Sequence, residues 1–528
     1  MTRKLGTILP ALLAARGVEM VFGIPGVHTV EMYRGLPESG IRHITPRHEQ
    51  GAGFMADGYA RAAGKPGVCF IISGPGMTNI MTAMGQAYGD SIPMLVISTV
   101  INRDRMGKGE GWLHEMQRQS DTVSGVAAFS RTVLSPDELE PALDAAFAVF
   151  TSARPRPVHI EIPVDVLEME LTPRAAAPQV APAPEPSAAS LDAALVALEG
   201  AHRPVILAGG GAQGADVVAL AEALDAPVVM TTNGRGLLPP DHPLAVPFSP
   251  SLPEVRAMIA GADVALALGT EFGSTDYDFN EDGGFVLPGT LIRVDLDPGQ
   301  VAHGANDRTV IGLLGEAGAT AARLIRGLTP RKGDGAARAA QGCAALDAFT
   351  AAMQSDFRLL GQIRDRLPGA RIVGDSTQIV YTGNSGFAAA QPGGYFNSAT
   401  GFGTLGYGLP AAIGAALADG GPAVAITGDG GLQFCLGELT SAVEAQARVI
   451  MLLHDNQGYG EIRSYMEGRD IPTIGVDILT PDLCAIVAAC GWQVIRAAET
   501  GFAQALEQAA EAETPVMIYL DEVTRRSL

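Results

Sequence analysis

The chain has 528 residues, 47% of them apolar, with 65 Gly, 35 Pro and a formal net charge of −21. It is too apolar for a disordered chain and too irregular for a fibrous one, and its length leaves room for three or four domains. The acidity, with no run of Lys or Arg, excludes a nucleic-acid-binding face and reads as a solubility device.

In chain order, the first block, residues 1–171, contains the apolar runs Val68–Ser73 and Met94–Thr99, bounded by Gly and Pro. A linker is predicted over Thr172–Ser190, where repeated Pro blocks a helix. The second block, 190–328, carries Val205–Ala208, Val228–Thr231, Val264–Leu268 and Leu291–Asp295. A second, polar linker is predicted over Leu328–Ala340. The third block, 341–528, carries Ile372–Gly374, Ala423–Thr427, Val449–His454 and Val516–Leu520. Unbroken apolar strands alternating with amphipathic segments predict an α/β protein with three doubly wound parallel-sheet domains. Ligands of such sheets bind at the carboxyl ends of strands. Five scattered cysteines without a CxxC argue against a disulfide framework or a zinc site and for reduced thiols in a cytoplasmic protein. No stretch of about 18 uncharged apolar residues exists, so no membrane span is expected.

The third block gives the first chemical signal. Its strand Ala423–Thr427 ends in Gly428-Asp429-Gly430-Gly431, a helix is predicted over about 436–445, and Val449–His454 ends in Asp455-Asn456-Gln457-Gly458. That is one βαβ unit, so right-handed crossover brings both ends to one edge of the sheet. A carboxylate and an amide oxygen meet there, which suits Mg²⁺ or Ca²⁺, and the glycines let backbone approach a phosphate. The alternative is a tight strand-to-helix turn with a surface Asp-Asn.

These elements resemble the thiamine diphosphate signature, GDG followed by Asn-Asn, with Asp455 in place of the first Asn. Further segments extend the resemblance along essentially the whole chain. They are Val21–Gly26, RHEQGAGFMADGYAR (Arg47–Arg61), SGPGMTN (Ser73–Asn79), DSIPMLVIS (Asp90–Ser98), GRGLLPPDHPL (Gly234–Leu244), DLDP (Asp295–Pro298) and GFGTLGYGLPAAIGAAL (Gly401–Leu417). Together they resemble the acetolactate synthase and 2-oxo acid decarboxylase superfamily. The resemblance implies a pyrimidine-binding domain, a degenerate Rossmann-like middle domain and a diphosphate-binding domain. It implies thiamine diphosphate and Mg²⁺, with Asp429, Asn456 and the carbonyl of Gly458 as metal ligands. Glu49 would activate the pyrimidine ring, which requires a sequestered carboxyl group; the alternative is a surface carboxylate. Gly26, Gln378, Gly403, Leu405, Gly428, Gly430 and Gly431 would touch the cofactor, though Gln378 reads equally as a loop glutamine. Because the family's Glu and diphosphate site come from different subunits, a homodimer or homotetramer is implied.

Departures from the family bear on substrate. Thr99-Val100-Ile101 replaces Gly-Gln-Val, and Leu113-His114-Glu115 replaces Phe-Gln-Glu. Val27-His28 stands where acetolactate synthases carry small residues. His28 and His114 are therefore candidate proton carriers, and Val27 a substrate contact. Glu461 replaces an apolar residue that lines the family's substrate pocket. A buried carboxylate there needs a cation, which a guanidinium would supply; otherwise Glu461 faces water or pairs with Arg463. The acidic stretch Glu271–Asp282 is a further possible partner, or a solvated loop. These features resemble the 5-guanidino-2-oxopentanoate (2-ketoarginine) decarboxylases. The reaction implied is non-oxidative decarboxylation of a 2-oxo acid by ylide attack and enamine protonation. The alternatives are acetolactate synthase-type carboligation and, from Gly209–Gly214 (GxGxxG), a nucleotide-binding dehydrogenase. No Arg-containing FAD segment is recognisable, so FAD is not expected.

Overall fold

Alternating faces of each predicted strand are both apolar, and the fold explains why. The computed structural model, which describes residues 3–174, 178, 180–303 and 308–528, contains three six-stranded parallel sheets with helices on both faces. In the third sheet, Val373, Ala425, Met451 and Met517 pack on one side and Ile372, Val424, Ile450 and Ile518 on the other. The first and middle sheets divide their strand residues between two clusters in the same way. Strands buried on both faces read as near-continuous apolar runs rather than as an alternation; Val158–Pro163, with buried His159 and Glu161, is an exception.

The first sheet runs Arg42–Ile44, Met20–Gly23, Gly67–Ile71, Met94–Val100, Val158–Pro163, Phe129–Thr132 across its width. The third runs Tyr395–Asn397, Arg371–Gly374, Ala423–Gly428, Val449–Asp455, Val516–Asp521, Gln493–Arg496. Both have the sequential order 2-1-3-4-6-5, so the winding reverses between the first and third strands of each. That reversal opens a crevice at the carboxyl edge, where ligands bind. The middle sheet runs Ala245–Val246, Val228–Met230, Pro204–Ala208, Val264–Leu268, Thr290–Asp295, Thr309–Leu314, the 3-2-1-4-5-6 order of dinucleotide-binding folds. A small antiparallel pair, Arg3–Lys4 with Glu170–Leu171, closes the first block.

The first and third sheets share one apolar cluster. At its centre helix Glu49–Ala63 crosses helix Gly408–Asp419 backbone to backbone. A Cβ on Gly58 would lie 1.9 Å from the Ala411 carbonyl oxygen, and one on Gly414 would lie 1.9 Å from that of Met55. Only glycine permits this approach. Two helices that follow quoted motifs are thereby locked together, and each carries candidate site residues at its N-terminal end.

Two expectations need correction. The polar stretch 328–340 is not wholly a linker: Gly335–Cys343 is a helix packed on helix Pro253–Ala260. It is held by the buried Arg338, which donates to the Pro204 carbonyl (2.9 Å) and to Asp334 (2.9 Å). The acidic stretch Glu271–Asp282 is used internally. Glu271 pairs with Arg154, Asp278 and Asp282 with Arg256, and Asp276 accepts from Thr232. Part of the stretch 172–190 lies outside the described residues. All five cysteines are free thiols. Among the described residues no helix is long and apolar enough to cross a membrane.

Candidate active site

The crevice of the third sheet gathers the residues expected to hold a metal and a diphosphate. Asp429 follows the strand Ala423–Gly428 and is fully buried. Its Oδ2 accepts from the Gly458 N–H (2.9 Å) and the Thr480 hydroxyl (2.6 Å). Its Oδ1 faces Asn456. With the Asn456 amide nitrogen turned to Gln378 Oε1 (3.5 Å), the amide oxygen lies 3.1 Å from Asp429 Oδ1 and 2.8 Å from the Gly458 carbonyl oxygen. Without a cation the amide would turn over and donate to both. These two separations match the edge of a Mg²⁺ octahedron, roughly 2.9 Å for Mg–O distances of 2.0–2.1 Å. The donor set therefore fits a hard divalent cation. Gly458, at φ +132°, is constrained further: a Cβ would lie 2.4 Å from the Val476 carbonyl oxygen.

Asp455 turns away from this group. Its carboxylate accepts from the Gln457 backbone (3.0 Å) and side chain (2.8 Å) and from the Tyr519 hydroxyl (2.8 Å). The departure from Asn-Asn thus leaves the three oxygens untouched. Gly428, Gly430 and Gly431 form the turn itself, and Gln378 opens helix Gln378–Gly386 beside it. Buried Arg235, from the GRGLLPPDHPL segment, clamps the far end of that helix by donating to the carbonyls of Asn384 (2.8 Å) and Phe387 (2.5 Å). Gly403 is exposed at φ +75° with open space around it, and Leu405 is half-buried two residues on.

One residue at this crevice gave no sequence signal of its role. Asp375 follows the first strand of the sheet, is fully buried, and accepts from the N–H groups of Ser376 (2.8 Å), Gly408 (3.1 Å) and Gly406 (3.2 Å). It holds the start of helix Gly408–Asp419 through Gly406 and Gly408, and it lies close enough to Gly431 that a Cβ there would come within 3.3 Å. Burial pushes its pKa up to about 6, against these N–H groups. The unfolded chain releases this proton near pH 4, so the folded state loses stability as pH rises from about 4 to about 6, by about 3 kcal/mol. In Asp375→Asn this component of the pH slope vanishes, and the fold is weaker throughout because an amide cannot accept all three N–H groups. Urea unfolding of both proteins between pH 4 and 6 checks this; equal slopes would refute it.

Glu49, Gly26, Val27, His28 and His114, the candidates from the first block, gather at the crevice of the first sheet. Glu49 is the first residue of helix Glu49–Ala63 and is half-buried. Its Oε2 accepts from Asn79 Nδ2 (2.9 Å). The preceding turn is held from the third domain: buried Glu438 accepts from the backbone N–H groups of Arg47 (3.0 Å) and His48 (3.1 Å). Sequence reasoning missed both Asn79 and Glu438.

His28 lies after the first strand and Ser73 after the third, and the two meet at the reversal, with 2.8 Å between His28 Nδ1 and Ser73 Oγ. The His114 ring stands 5.1 Å from that of His28, edge to face. Burial and then the charge of His114 lower the pKa of His28. His114 Nδ1 is buried without a hydrogen-bond partner. The two histidines are thus brought together although 86 residues of chain, by numbering about three βα units, separate them. Gly26 sits in the same turn, its N–H donating to Thr29 Oγ1 (2.9 Å), and Val27 is exposed.

Glu461 is exposed in the first turn of helix Gly460–Glu467. Arg463 is taken by Asp477 (2.5 Å) and the Gln457 carbonyl (3.2 Å), so it does not neutralise Glu461. Among the described residues no hydrogen bond or ion pair joins the Glu49–His28–His114 group to the Asp429–Asn456–Gly458 group.

Comparison with known proteins identifies the family. The profile of the N-terminal TPP-binding domain of thiamine pyrophosphate enzymes matches residues 3–124, that of the central domain 191–324, and that of the C-terminal TPP-binding domain 375–520. The chain is 46% identical over 507 residues to the probable 2-ketoarginine decarboxylase AruI of Pseudomonas aeruginosa, covering 93% of this chain and 89% of that protein. It is 32% identical over 474 residues to acetolactate synthase isozyme 1 large subunit of Escherichia coli, covering 85% and 81%. It is 30% identical over 482 residues to a probable acetolactate synthase large subunit of Methanocaldococcus jannaschii, covering 85% and 80%.

Proposed function

The chain belongs to the thiamine pyrophosphate enzyme family, and from that premise we propose that it is a Mg²⁺-dependent, non-oxidative decarboxylase of a 2-oxo acid with a cationic tail, 5-guanidino-2-oxopentanoate in the first instance. The observation that carries this reading is the 46% identity, across 93% of the chain, to a protein of that name. Retention of Glu49, Asp429 and Asn456 supports catalysis over a purely structural role. Thiamine diphosphate, when bound, supplies a nucleophilic carbon and an electron sink. Asp429, Asn456 and the Gly458 carbonyl hold Mg²⁺, and the glycine turn with Gln378 receives the diphosphate. Gly26, Gly403 and Leu405 hold the rings, and Glu49 holds a proton at the pyrimidine through a side chain already fixed by Asn79. His28 and His114 hold the proton that completes the release of an aldehyde.

Glu461 recognises the guanidinium. Among the described residues its exposed carboxylate has no ion pair, which leaves it open to a cation from outside. Glu461→Leu raises KM for 5-guanidino-2-oxopentanoate by about ten- to a hundredfold, the loss of a charge-assisted bond, while KM for aliphatic 2-oxo acids changes little. An equal change for both classes would defeat this assignment.

The catalytic unit is a homodimer or homotetramer with sites between subunits. Supporting this, Val27, Val30 and Leu113 are exposed beside the histidines, and Phe402, Phe434, Ile462 and Tyr465 are exposed on the diphosphate side. The assignment of 1–171, 190–328 and 341–528 to pyrimidine, middle and diphosphate roles belongs to the same proposal, as does a cytoplasmic location. The middle crevice, about 330 Å³, is proposed to work without FAD.

A panel of 2-oxo acids with product identification tests the whole reading. Aldehyde release from 5-guanidino-2-oxopentanoate is expected. Acetolactate from pyruvate without turnover of the guanidino acid would favour the carboligase instead.

A further inference from the structure

The segment between Arg103 and Gln119 has neither a strand nor a regular helix before Gln119, yet it is braced throughout. Its near foot is Arg103, whose N–H and Nε both reach Asp165 (3.0 and 2.7 Å). Its far foot is the buried Gln119, which accepts from the Gly74 N–H (2.9 Å) and donates to Glu161 (2.9 Å) and the Thr99 carbonyl (2.9 Å). Between the feet, Gly107, Gly109 and Gly111 all have positive φ. Such residues turn successive N–H groups inward, and concave arrays of N–H groups bind anions.

The anion is the chain's own. Glu115 Oε1 accepts from the Gly109 N–H (2.7 Å), and Oε2 accepts from those of Gly111 (2.8 Å) and Trp112 (3.0 Å). Burial alone would raise the Glu115 pKa, but the N–H groups of Trp112, Gly109 and Gly111 outweigh it and the pKa is lowered. Trp112 also lies against Arg105, whose guanidinium is 3.7 Å from the ring centre. The residue just before Glu115 is His114, at φ +62°. A non-glycine residue holds that conformation only where its surroundings fix it. The loop also presses on Gly74, where a Cβ would lie 2.8 Å from the His114 carbonyl oxygen. Gly74 follows Ser73, the partner of His28.

We propose that Glu115 is a positioning residue: by gathering the loop's N–H groups it holds His114 in its left-handed conformation against His28, and so sets proton delivery to the product. The inference rests on the proposed role of the histidine pair. Glu115→Gln presents an amide NH₂ where an acceptor is needed, so the loop loosens while the ligands of the cofactor stay intact.

The test is a double-mutant cycle on holoenzyme with thiamine diphosphate and Mg²⁺, using the best 2-oxo acid from the panel. Glu115→Gln is expected to lower kcat about tenfold with KM nearly unchanged, as removal of part of an acid–base contribution does. His114→Ala is expected to do the same, and the double variant to be no worse than His114→Ala, because the two act as one unit. Trp112→Ala, which keeps the carboxylate, is expected to lie between wild type and Glu115→Gln. Additive losses in the double variant, or a Glu115→Gln enzyme with wild-type kcat, would overturn the proposal. The cycle reads coupling on whichever product forms. Acetolactate in place of aldehyde would therefore count against the decarboxylase reading, and the coupling would still decide the role of Glu115.

Discussion

Glu49→Gln lowers kcat by about 10²- to 10³-fold, the scale of a lost general acid–base group, while thiamine diphosphate and Mg²⁺ still raise the melting temperature as they do in the wild type. The reason lies in the geometry around one carboxyl group. Glu49 is the first residue of its helix, and its position is fixed from three directions. Asn79 donates to Oε2, Glu438 holds the N–H groups of Arg47 and His48, and the Gly58–Gly414 crossing locks the helix against the third domain. Gln is nearly isosteric, so these contacts largely persist. What is lost is the ability to hold a proton at the pyrimidine. Steady-state turnover, with thermal shift as the binding control, checks this. Wild-type turnover in Glu49→Gln would remove Glu49 from the mechanism, and a lost thermal shift would make it a binding residue instead.

Asp429→Asn removes the stabilisation that Mg²⁺ and thiamine diphosphate together confer. For a ligand that binds only the folded state, that stabilisation is about 2.7 kcal/mol at a hundredfold excess over Kd. Asp429 supplies the charged oxygen of the three-oxygen group, alongside the neutral oxygens of Asn456 and Gly458. An amide at 429 keeps the shape and removes the charge, and it can turn its NH₂ toward the Gly458 N–H that Asp429 now accepts from (2.9 Å). Turnover falls by about 10³-fold or more at cofactor concentrations that saturate the wild type, several kcal/mol being typical of a lost metal contact. Thermal-shift titration with Mg²⁺ alone, the cofactor alone and both together separates the contributions. An Asp429→Asn protein that responds like wild type to both would refute the metal assignment.

These two residues were legible early because each lies in a dense local motif. The strands predicted from apolar runs lie within two residues of those observed, since burial on both faces writes itself directly into composition. Most of the strands that were overlooked are short or at sheet edges. Phe129–Thr132, for example, is only half-buried and carries Ser, Arg and Thr, so no apolar run marks it. Val158–Pro163 is neither short nor at an edge, but His159 and Glu161 interrupt its apolar run. The 335–343 helix was read as linker up to Ala340 because its small and polar residues hide the buried Arg338 and Ala339.

The sequence by itself determined the three parallel sheets and the family resemblance, and it singled out Glu49, Asp429 and Asn456 as candidates. Hydrophobic periodicity and short motifs report on near neighbours along the chain, and these features are local. Only the tertiary structure decided which polar groups meet. Glu438 caps a turn 391 residues away at Arg47, Thr480 reaches Asp429 across 51 residues, and Asp375 holds the segment Gly406–Gly408, beginning 31 residues away. It also decided that Arg463 belongs to Asp477 and leaves Glu461 unpaired, and that Glu115 braces the loop of His114. The physical reason is common to all of them. A buried donor or acceptor must find a partner, but any nearby group of the right kind will serve, and only the packing of the sheets brings one within 3 Å.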